Sequence, residues 1–202
     1  MYTDPGPDTV VVCVDEQGPI QWIPHPGPGW QSQRHPLRLP AHYPRPGSSK
    51  HMAAFCPHTG EVAGSKVELR VRGEEFAAFM EATLRELDAG HPGKRFALVM
   101  DNQQVHKTEL VRSKLAPYGD RVSVYFTPTS ASWLNLIESW FSGLSRAVLR
   151  NSYPHSHAEV SELVSSYVEA WGSDPRPYHW PRQQRTPRQV RPYTAWTYRM
   201  QH

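Results

Sequence analysis

Acidic residues are absent from two long stretches of this 202-residue chain. No Asp or Glu lies between Glu16 and Glu61, and none follows Asp174. Both stretches are basic instead: the first contains Arg34, Arg38, Arg45 and Lys50, and the second contains Arg176, Arg182, Arg185, Arg188, Arg191 and Arg199. Two basic segments around a middle of ordinary composition favour a polyanionic partner. Solvated, proline-rich loops explain the composition equally well, since the net charge is only +3.

Long apolar runs and cysteines are also scarce. No run of about 18 apolar residues occurs, so no membrane-spanning helix is predicted. The segment MYTDPGPDTVVV lacks a basic region followed by an apolar one, and we therefore expect no secretory signal peptide. Two cysteines, Cys13 and Cys56, are too few for a disulfide framework, and Cys13 lies in an apolar pattern typical of a buried thiol. These features favour a cytoplasmic protein.

Hydrophobic periodicity predicts an α/β domain over residues 1–174. Strands are predicted at residues 10–14, 19–24, 51–56 with 60–71 as a hairpin, 95–100 and 121–126, with a turn at residues 15–18. Helices are predicted at residues 73–87, 105–119, 134–150 and 156–171, the last with Ser156 and Glu159 as a capping box. This order predicts a mixed β-sheet flanked by helices on both faces. Residues 24–50 are predicted to be an inserted proline-rich basic loop, and residues 175–202 a disordered tail rich in Pro and Arg.

Three acids fall where a mixed α/β sheet collects ligand-binding side chains. Asp15 is predicted to close the first strand, and Asp101 closes the strand RFALVM, so neighbouring strands would bring both carboxylates to one edge. Glu138 follows after one more helix and strand, a length that returns the chain to that edge. Three converging carboxylates repel one another unless cations lie between them, and hard oxygen ligands suit Mg²⁺ or Mn²⁺. Two such ions roughly 3.5–4 Å apart support phosphodiester transfer.

Each of these acids also fits an ordinary structural role. Asp15 in VDEQG matches a turn residue, and Asp101 before a helix matches an N-cap. Glu138 matches a polar residue of an amphipathic helix, although its spacing places it with Asn135 beside the apolar stripe. The residues alone leave both interpretations open for each acid.

Three sequence blocks, VVVCVDEQGPIQ, LVMDNQQVHKT and FTPTSASWLNLIESWFSGLSR, resemble the catalytic domain of DDE transposases of the Tc1/mariner superfamily, in its bacterial insertion-sequence branch. The blocks occur in the family's order, and the resemblance covers roughly residues 2–180. It implies a ribonuclease-H-like fold and a DNA transposase that cleaves and joins phosphodiesters at transposon ends. It also implies that Asp15, Asp101 and Glu138 are catalytic and hold two Mg²⁺ or Mn²⁺ ions.

The resemblance extends to residues around these acids. The family's Asp-Asn-x-x-x-His-Lys block is matched by Asp101, Asn102, His106 and Lys107. Its Thr-Pro-x-x-Ser-x-x-Leu-Asn-x-x-Glu block is matched by Thr127, Pro128, Ser132 (shifted within the run), Leu134, Asn135 and Glu138.

Side-chain chemistry suggests supporting roles for several of these residues. Asn102, His106 and Asn135 are candidates for orienting the carboxylates or the attacking water, and a surface position explains His106 equally well. Candidate DNA contacts are Lys107, Arg112 and Lys114, expected on one short helix, together with Arg34, Arg38, Arg45 and Lys50. Trp133 and Trp140 are interpreted as packing residues in preference to base-stacking ones.

The chain departs from the family at both ends. Relatives usually carry an N-terminal helix-turn-helix that finds the element's ends, and here the catalytic strand comes almost first. We therefore expect either a truncated product or a split one in which a separate helix-turn-helix protein supplies end recognition. The expected partner is double-stranded DNA, both transposon end and target, and a homodimer stays open. Two rival functions also stay open: a catalytically silent DNA-binding remnant, and a ribonuclease-H-like nuclease acting on RNA–DNA hybrids.

Overall fold

Five strands form one mixed sheet in the computed structural model, which describes residues 2–23, 30–36, 38, 46–129 and 131–178. The strands are β1 (Thr9–Gln21), β2 (Ser48–Cys56), β3 (Glu61–Glu68), β4 (Arg95–Met100) and β5 (Val122–Phe126). They lie in the order β3-β2-β1-β4-β5. The β3-β2-β1 half is antiparallel, whereas β1, β4 and β5 run parallel. The central β1 is a run of β-branched residues because it is covered on both faces.

The predicted turn at residues 15–18 is wrong, because β1 passes straight through it. Glu16 pairs with Met52 and Gln17 with His51, and pairing resumes where Ile20 meets Ser49. The irregularity between Gln17 and Ile20 accommodates Gly18 and Pro19, which has no N–H to donate to the ladder. The two strands expected at residues 10–14 and 19–24 are therefore one strand, and Asp15 lies inside it.

Two helices cover each face of the sheet. Helices α1 (Gly73–Gly90) and α2 (Glu109–Leu115) lie on one face, and α3 (Ile137–Ala147) and α4 (His157–Ser173) lie on the other. Alternate residues of each central strand serve the two cores: Val12 and Val14 pack with α1, whereas Val11 and Cys13 pack with α3 and α4. Mixed strand directions and helices on both faces confirm the predicted fold class.

Helix boundaries follow local capping. The side chain of Ser156 accepts a hydrogen bond from the Glu159 N–H, and the Glu159 carboxylate accepts one from the His155 N–H at 2.9 Å, so the predicted start of α4 is confirmed. The helix predicted at residues 105–119 is broken, because Thr108 is extended and caps α2. A 3-10 turn (Gln104–Lys107) precedes it. The helix predicted from residue 134 begins at Ile137, after a 3-10 turn (Ser132–Leu134).

The chain after α4 stays against the domain as far as it is described. The backbone N–H of Tyr178 donates to the carbonyl of Pro57 at 2.7 Å, and its ring lies 5.0 Å from that of Phe55. The predicted tail thus has an attached start, and its residues 179–202 lie outside the described part. Both cysteines are buried free thiols. Within the described residues, no helix has the length and apolar character needed to cross a membrane.

His51 is a polar residue enclosed in the core beneath α3. It has no exposed surface, its Nε2 lies 2.9 Å from Ser65 Oγ, and its ring contacts Trp140 and Phe141. Desolvation lowers the pKa of His51 to about 3. The folded protein therefore holds a neutral imidazole at neutral pH, because desolvation dominates and, in the described part of the chain, no carboxylate offsets the cost of charging it.

We predict that His51 makes the protein acid-sensitive. The unfolded chain binds a proton at His51 below about pH 6.5, whereas the folded chain resists doing so until about pH 3. The contribution of neutral His51 to the free energy of unfolding is therefore fully present above the unfolded pKa. As the pH drops below that pKa, the free energy of unfolding falls by at most ~1.4 kcal/mol per pH unit. Urea midpoints near neutral pH and in mild acid should show a smaller acid loss for His51→Gln, which keeps a hydrogen-bonding group. The exposed His155→Gln is the control, and an equal loss in all three proteins would contradict the assignment.

Gly64 and Gly172 predict opposite responses to the same substitution. A Cβ at Gly64 in β3 would overlap Thr83 Oγ1 and come within 3.1 Å of the Phe79 ring. Gly64→Ala should therefore lower the free energy of unfolding by roughly 1–3 kcal/mol. A Cβ at Gly172 in α4 meets nothing within 4 Å, so Gly172→Ala should raise it by about 0.5 kcal/mol. Chemical denaturation of both variants checks the pair, and a stabilised Gly64→Ala would show that β3 is not packed as described.

Candidate active site

Asp15 and Asp101 lie at matching positions on neighbouring parallel strands. Cys13 of β1 pairs with Val99 of β4, and each acid is two residues beyond this pair. Cys13 and Val99 both face the core beneath α3 and α4, and side chains two residues apart share a face of a strand. Asp15 therefore points to the α3 side of β1, and Asp101 directly follows β4 at the edge where β4 and β5 end, hereafter the carboxyl edge.

Glu138 reaches this edge from the first turn of α3. The helix is fixed by Ile137, Trp140, Phe141 and Leu144, all buried against the sheet. Glu138 itself is exposed, so it is more open to solvent than its position beside the apolar stripe suggested. Partial burial and the charge of Asp101 raise the pKa of Glu138 above its ordinary value. The two carboxylates are thus close enough to repel each other.

Asn135 joins the start of α3 to the central strand. It is completely buried, and its Nδ2 donates to the Val14 carbonyl at 3.0 Å and to Asp15 Oδ2 at 3.2 Å. Its own carbonyl accepts from the Glu138 N–H at 3.1 Å. Asn135 thus contacts the Asp15 carboxylate through its side chain and the first turn of α3 through its main-chain carbonyl. Its supporting role stays a prediction.

His106 holds Asp101 from the opposite face of the sheet. Its Nδ1 lies 2.8 Å from Asp101 Oδ1, and its ring is enclosed against Phe76 of α1 with centroids 4.3 Å apart. Its Nε2 lies 3.6 Å from Glu16 Oε1, too far for a hydrogen bond. Desolvation would lower the pKa of His106, but the carboxylates of Asp101 and Glu16 outweigh it and raise the pKa to about 9. The surface position considered for His106 is excluded.

Asp15 is the most deeply enclosed of the three acids, with 3% of its surface exposed. Desolvation raises the pKa of Asp15 to about 7, and the charges of Asp101 and Glu138 add to the increase, against a hydrogen bond from the Glu16 N–H. Desolvation acts on Asp101 as well, yet hydrogen bonds from His106 and Gln103 lower its pKa below the ordinary value. The carboxyl edge is therefore a site where negative charge is costly and a cation would relieve the cost.

The carboxylates are not assembled into one coordination group. Among the residues the structure describes, no three His, Cys, Asp or Glu side chains lie close enough to hold a metal ion together. Their oxygens instead use protein donors: Asp15 accepts from Glu16 and Asn135, and Asp101 accepts from Gln103. A shared metal ion would require these side chains to approach one another.

The basic residues predicted to contact DNA lie in different settings. Lys107 belongs to the 3-10 turn before α2, and not to the same helix as Arg112 and Lys114, so the expectation of one helix is corrected. Its Nζ donates to Asn102 Oδ1 and lies 5.1 Å from the centre of the Phe126 ring at the end of β5. Lys107 and Asn102 therefore lie together at the carboxyl edge.

The remaining cations are distributed more widely. Arg112 lies 3.6 Å from Glu109, Lys114 lies 2.9 Å from Glu81, and Lys50 lies 3.4 Å from Glu16. Arg34 and Arg38 are exposed, and in the described part of the chain neither contacts an acid. Arg45 lies outside the described residues. A DNA-binding role for these side chains stays a prediction.

Two residues at the edge were missed by sequence reasoning. Glu16 sits behind the site and faces His106 and Lys50, and Gln103 binds Asp101 through both its backbone N–H and its Nε2. The signal for Glu16 was its place next to Asp15 in a strand, where consecutive side chains point to opposite faces. The predicted turn at residues 15–18 concealed that alternation.

Comparison with known proteins places the fold. The sequence model of the family described as DDE superfamily endonuclease matches residues 10–161, about three quarters of the chain. The chain belongs to this family. A search of the curated proteins found no match.

Solved structures with the same fold include Mos1 mariner transposases. A pre-cleavage Mos1 transpososome superposes on 81% of this chain with a TM-score of 0.60 and 15% identity, and the match covers 48% of the Mos1 chain. The catalytic domain of Mos1 mariner transposase matches 79% of this chain and 70% of its own length, with a TM-score of 0.55 and 15% identity. This chain thus has the ribonuclease-H-like fold. It spans about half the length of the transposase in the transpososome.

We predict that Asn135→Ala loosens the candidate site and destabilises the fold. The substitution leaves the buried Val14 carbonyl and Asp15 Oδ2 without the Asn135 donor, which should lower the free energy of unfolding by about 1–3 kcal/mol. Asn102→Ala is the matched control, since Asn102 lies at the same edge but is exposed, and its effect should stay within about 0.5 kcal/mol. Urea denaturation measures both, and equal midpoints for the two variants would show that the Asn135 contacts contribute nothing.

Proposed function

We propose that this chain is the catalytic domain of a DNA transposase of the Tc1/mariner superfamily, in its insertion-sequence branch. Its reaction is divalent-metal-dependent cleavage of phosphodiesters at transposon ends, followed by joining of the freed end to target DNA. Family membership supports the nuclease chemistry. The Mos1 structures that share the fold include a paired-end complex with Mn and a strand transfer complex, which supports the DNA substrate and the two-step reaction.

One observation carries the proposal: the fold gathers three acids from separate segments at a single edge. The β1–β4 register aligns Asp15 with Asp101, and Asn135 fastens α3 so that Glu138 starts at the same place. Packing of the core does not account for a buried carboxylate at residue 15, because Val11 and Cys13, the preceding residues on that face of β1, are apolar. A costly arrangement of like charges is typical of a site built for a cation or for acid–base chemistry.

The donor set suits a hard divalent cation. Asp15, Asp101 and Glu138 offer only oxygen atoms, the ligands preferred by Mg²⁺ and Mn²⁺, and their repulsion falls when positive charge lies between them. These three residues would hold two such ions, with His106 and Asn135 fixing the orientations of Asp101 and Asp15. The Mos1 catalytic domain is known in structures with Mg and with Mn, which supports this choice.

The chemistry follows from the charges at the edge. When bound, the cations would lower the pKa of an attacking water or 3′-hydroxyl and stabilise the negative charge that develops on the phosphoryl and leaving oxygens. In the first step a water oxygen bonds to phosphorus, the P–O3′ bond breaks, and the leaving 3′-oxygen takes up a proton. In the second, the oxygen of that 3′-hydroxyl bonds to a target phosphorus and loses its proton, the target P–O3′ bond breaks, and the leaving target 3′-oxygen takes up a proton. The contacts of Asn135 with Asp15 and of His106 with Asp101 would limit how far these two carboxylates move between the steps.

DNA would approach the edge from the solvent side. Lys107 is held there by Asn102 and Phe126 and is placed to meet a phosphate, and Arg34 and Arg38 are exposed for the same purpose. Recognition of a transposon end would come from a helix-turn-helix outside the matched region, within a longer chain or on a separate protein. A homodimer would bring two ends together.

Nicking of supercoiled plasmid by the purified chain tests the assignment. We expect Mg²⁺- or Mn²⁺-dependent nicking that falls at least about 100-fold in Asp15→Asn, Asp101→Asn and Glu138→Gln, because each substitution removes a charged oxygen from the site. Glu162→Gln, an exposed acid on α4, is the matched control and should leave the rate unchanged.

Calorimetric titration with Mg²⁺ or Mn²⁺ provides a readout that does not depend on activity. Binding should weaken in the three site variants and persist in Glu162→Gln. Nicking that survives Asp101→Asn would overturn the assignment of the site. Metal-independent DNA binding without nicking in the wild-type protein would favour the DNA-binding remnant instead.

A further inference from the structure

The structure separates two tryptophans that sequence reasoning had grouped as packing residues. Trp140 is completely buried beneath α4, whereas Trp133 has 66% of its surface exposed, so the packing role is confirmed for Trp140 and wrong for Trp133. Trp133 lies in the 3-10 turn between β5 and α3, two residues before Asn135 and five before Glu138. Packing in the core does not explain a large ring that is mostly exposed to water five residues before one of the acids.

The backbone around Trp133 is held in place from three directions. The Thr127 N–H donates to the Met100 carbonyl at 2.8 Å, and the Leu134 carbonyl accepts from the hydroxyl of Tyr2 at 3.0 Å. Asn135 is anchored to Val14 of β1. The indole is therefore presented by a fixed turn, whose next residue is tied to the same strand as Asp15.

The chemistry of the ring selects the kind of ligand. An indole face stacks on any nucleobase, and stacking of this kind contributes about 1–3 kcal/mol per base. Bases inside a duplex have both faces covered, so the ring can reach only a terminal base or one that has left the stack. Phosphates at the same edge are served by the cation Lys107, which leaves the apolar surface of Trp133 for a base.

We propose that Trp133 stacks on an unpaired nucleobase next to the phosphodiester held at Asp15, Asp101 and Glu138. This inference rests on the proposed function and names a contact within it. The stacked base would keep the strand end beside the carboxylates between cleavage and joining, when no covalent bond retains it. Trp133 is thereby a DNA-binding residue and takes no part in the chemical step.

Fluorescence anisotropy in EDTA, where no cleavage occurs, tests the contact with two probes. One is a duplex with a short 3′ overhang of thymidines, and the other carries abasic sites in the overhang, so that the phosphates are equal and the bases differ. Trp133→Ala should weaken binding of the thymidine overhang about tenfold and leave binding of the abasic probe unchanged. Trp133→Phe should restore most of the affinity. The slope of log affinity against log salt should be the same in all three proteins, because Trp133 binds no phosphate.

The control variant is Leu69→Ala, an exposed apolar residue just beyond β3 on the far side of the sheet, which should bind both probes like wild type. Unfolding midpoints should be alike, since Trp133 is outside the core. Equal binding of the thymidine overhang by wild type and Trp133→Ala, or an equal loss on both probes, would overturn the stacking contact alone. Wild-type protein that binds neither probe would overturn the DNA substrate together with it.

Discussion

The parallel pairing of β1 with β4 is the constraint on which the candidate site depends. It aligns Asp15 with Asp101, and it does so through backbone hydrogen bonds between two apolar strands that are buried on both faces. A shift of one residue would turn one acid toward α1 and bring Val or Met to the edge instead. The hydrophobic run Val10–Val12 and its partner strand therefore determine the relative positions of Asp15 and Asp101, although none of their own side chains belongs to the candidate site.

The second contribution is the attachment of α3. Glu138 has no packing of its own that places it at the edge, so its position is inherited from Ile137, Trp140 and Phe141 on one side and from Asn135 at the start. The helix and the strand are thus joined by one buried amide. The backbone of Glu138 is therefore held in a defined position, while its exposed carboxylate can adjust to a ligand.

Much of this architecture follows from the sequence, for physical reasons that differ between elements. The runs RFALVM and VVVCV predict buried strands because nothing polar interrupts them, and Ser156 with Glu159 predicts a helix start because the capping hydrogen bonds are local. The continuity of β1 could not be predicted, because Gly18 and Pro19 signal a turn, and only pairing with β2 shows that a strand tolerates them. The exposure of Trp133 could not be predicted either, because Trp133 lies in a 3-10 turn before the helix, where no hydrophobic periodicity applies. Convergence of the acids was predicted from the strand ends. Among the described residues, however, the acids lie too far apart to bind one metal ion together, and this spacing depends on tertiary contacts that no local sequence pattern encodes.

Glu16 and Asp15 are adjacent in sequence but lie on opposite sides of the sheet, and His106 reaches around the carboxyl edge to contact both Glu16 and Asp101. The ring of Phe76 on α1 packs against the imidazole of His106. A substitution in α1 that moves Phe76 is therefore expected to shift the imidazole that contacts Asp101, although α1 itself lies on the other face of the sheet. The packing of one core thus reaches the candidate site through His106.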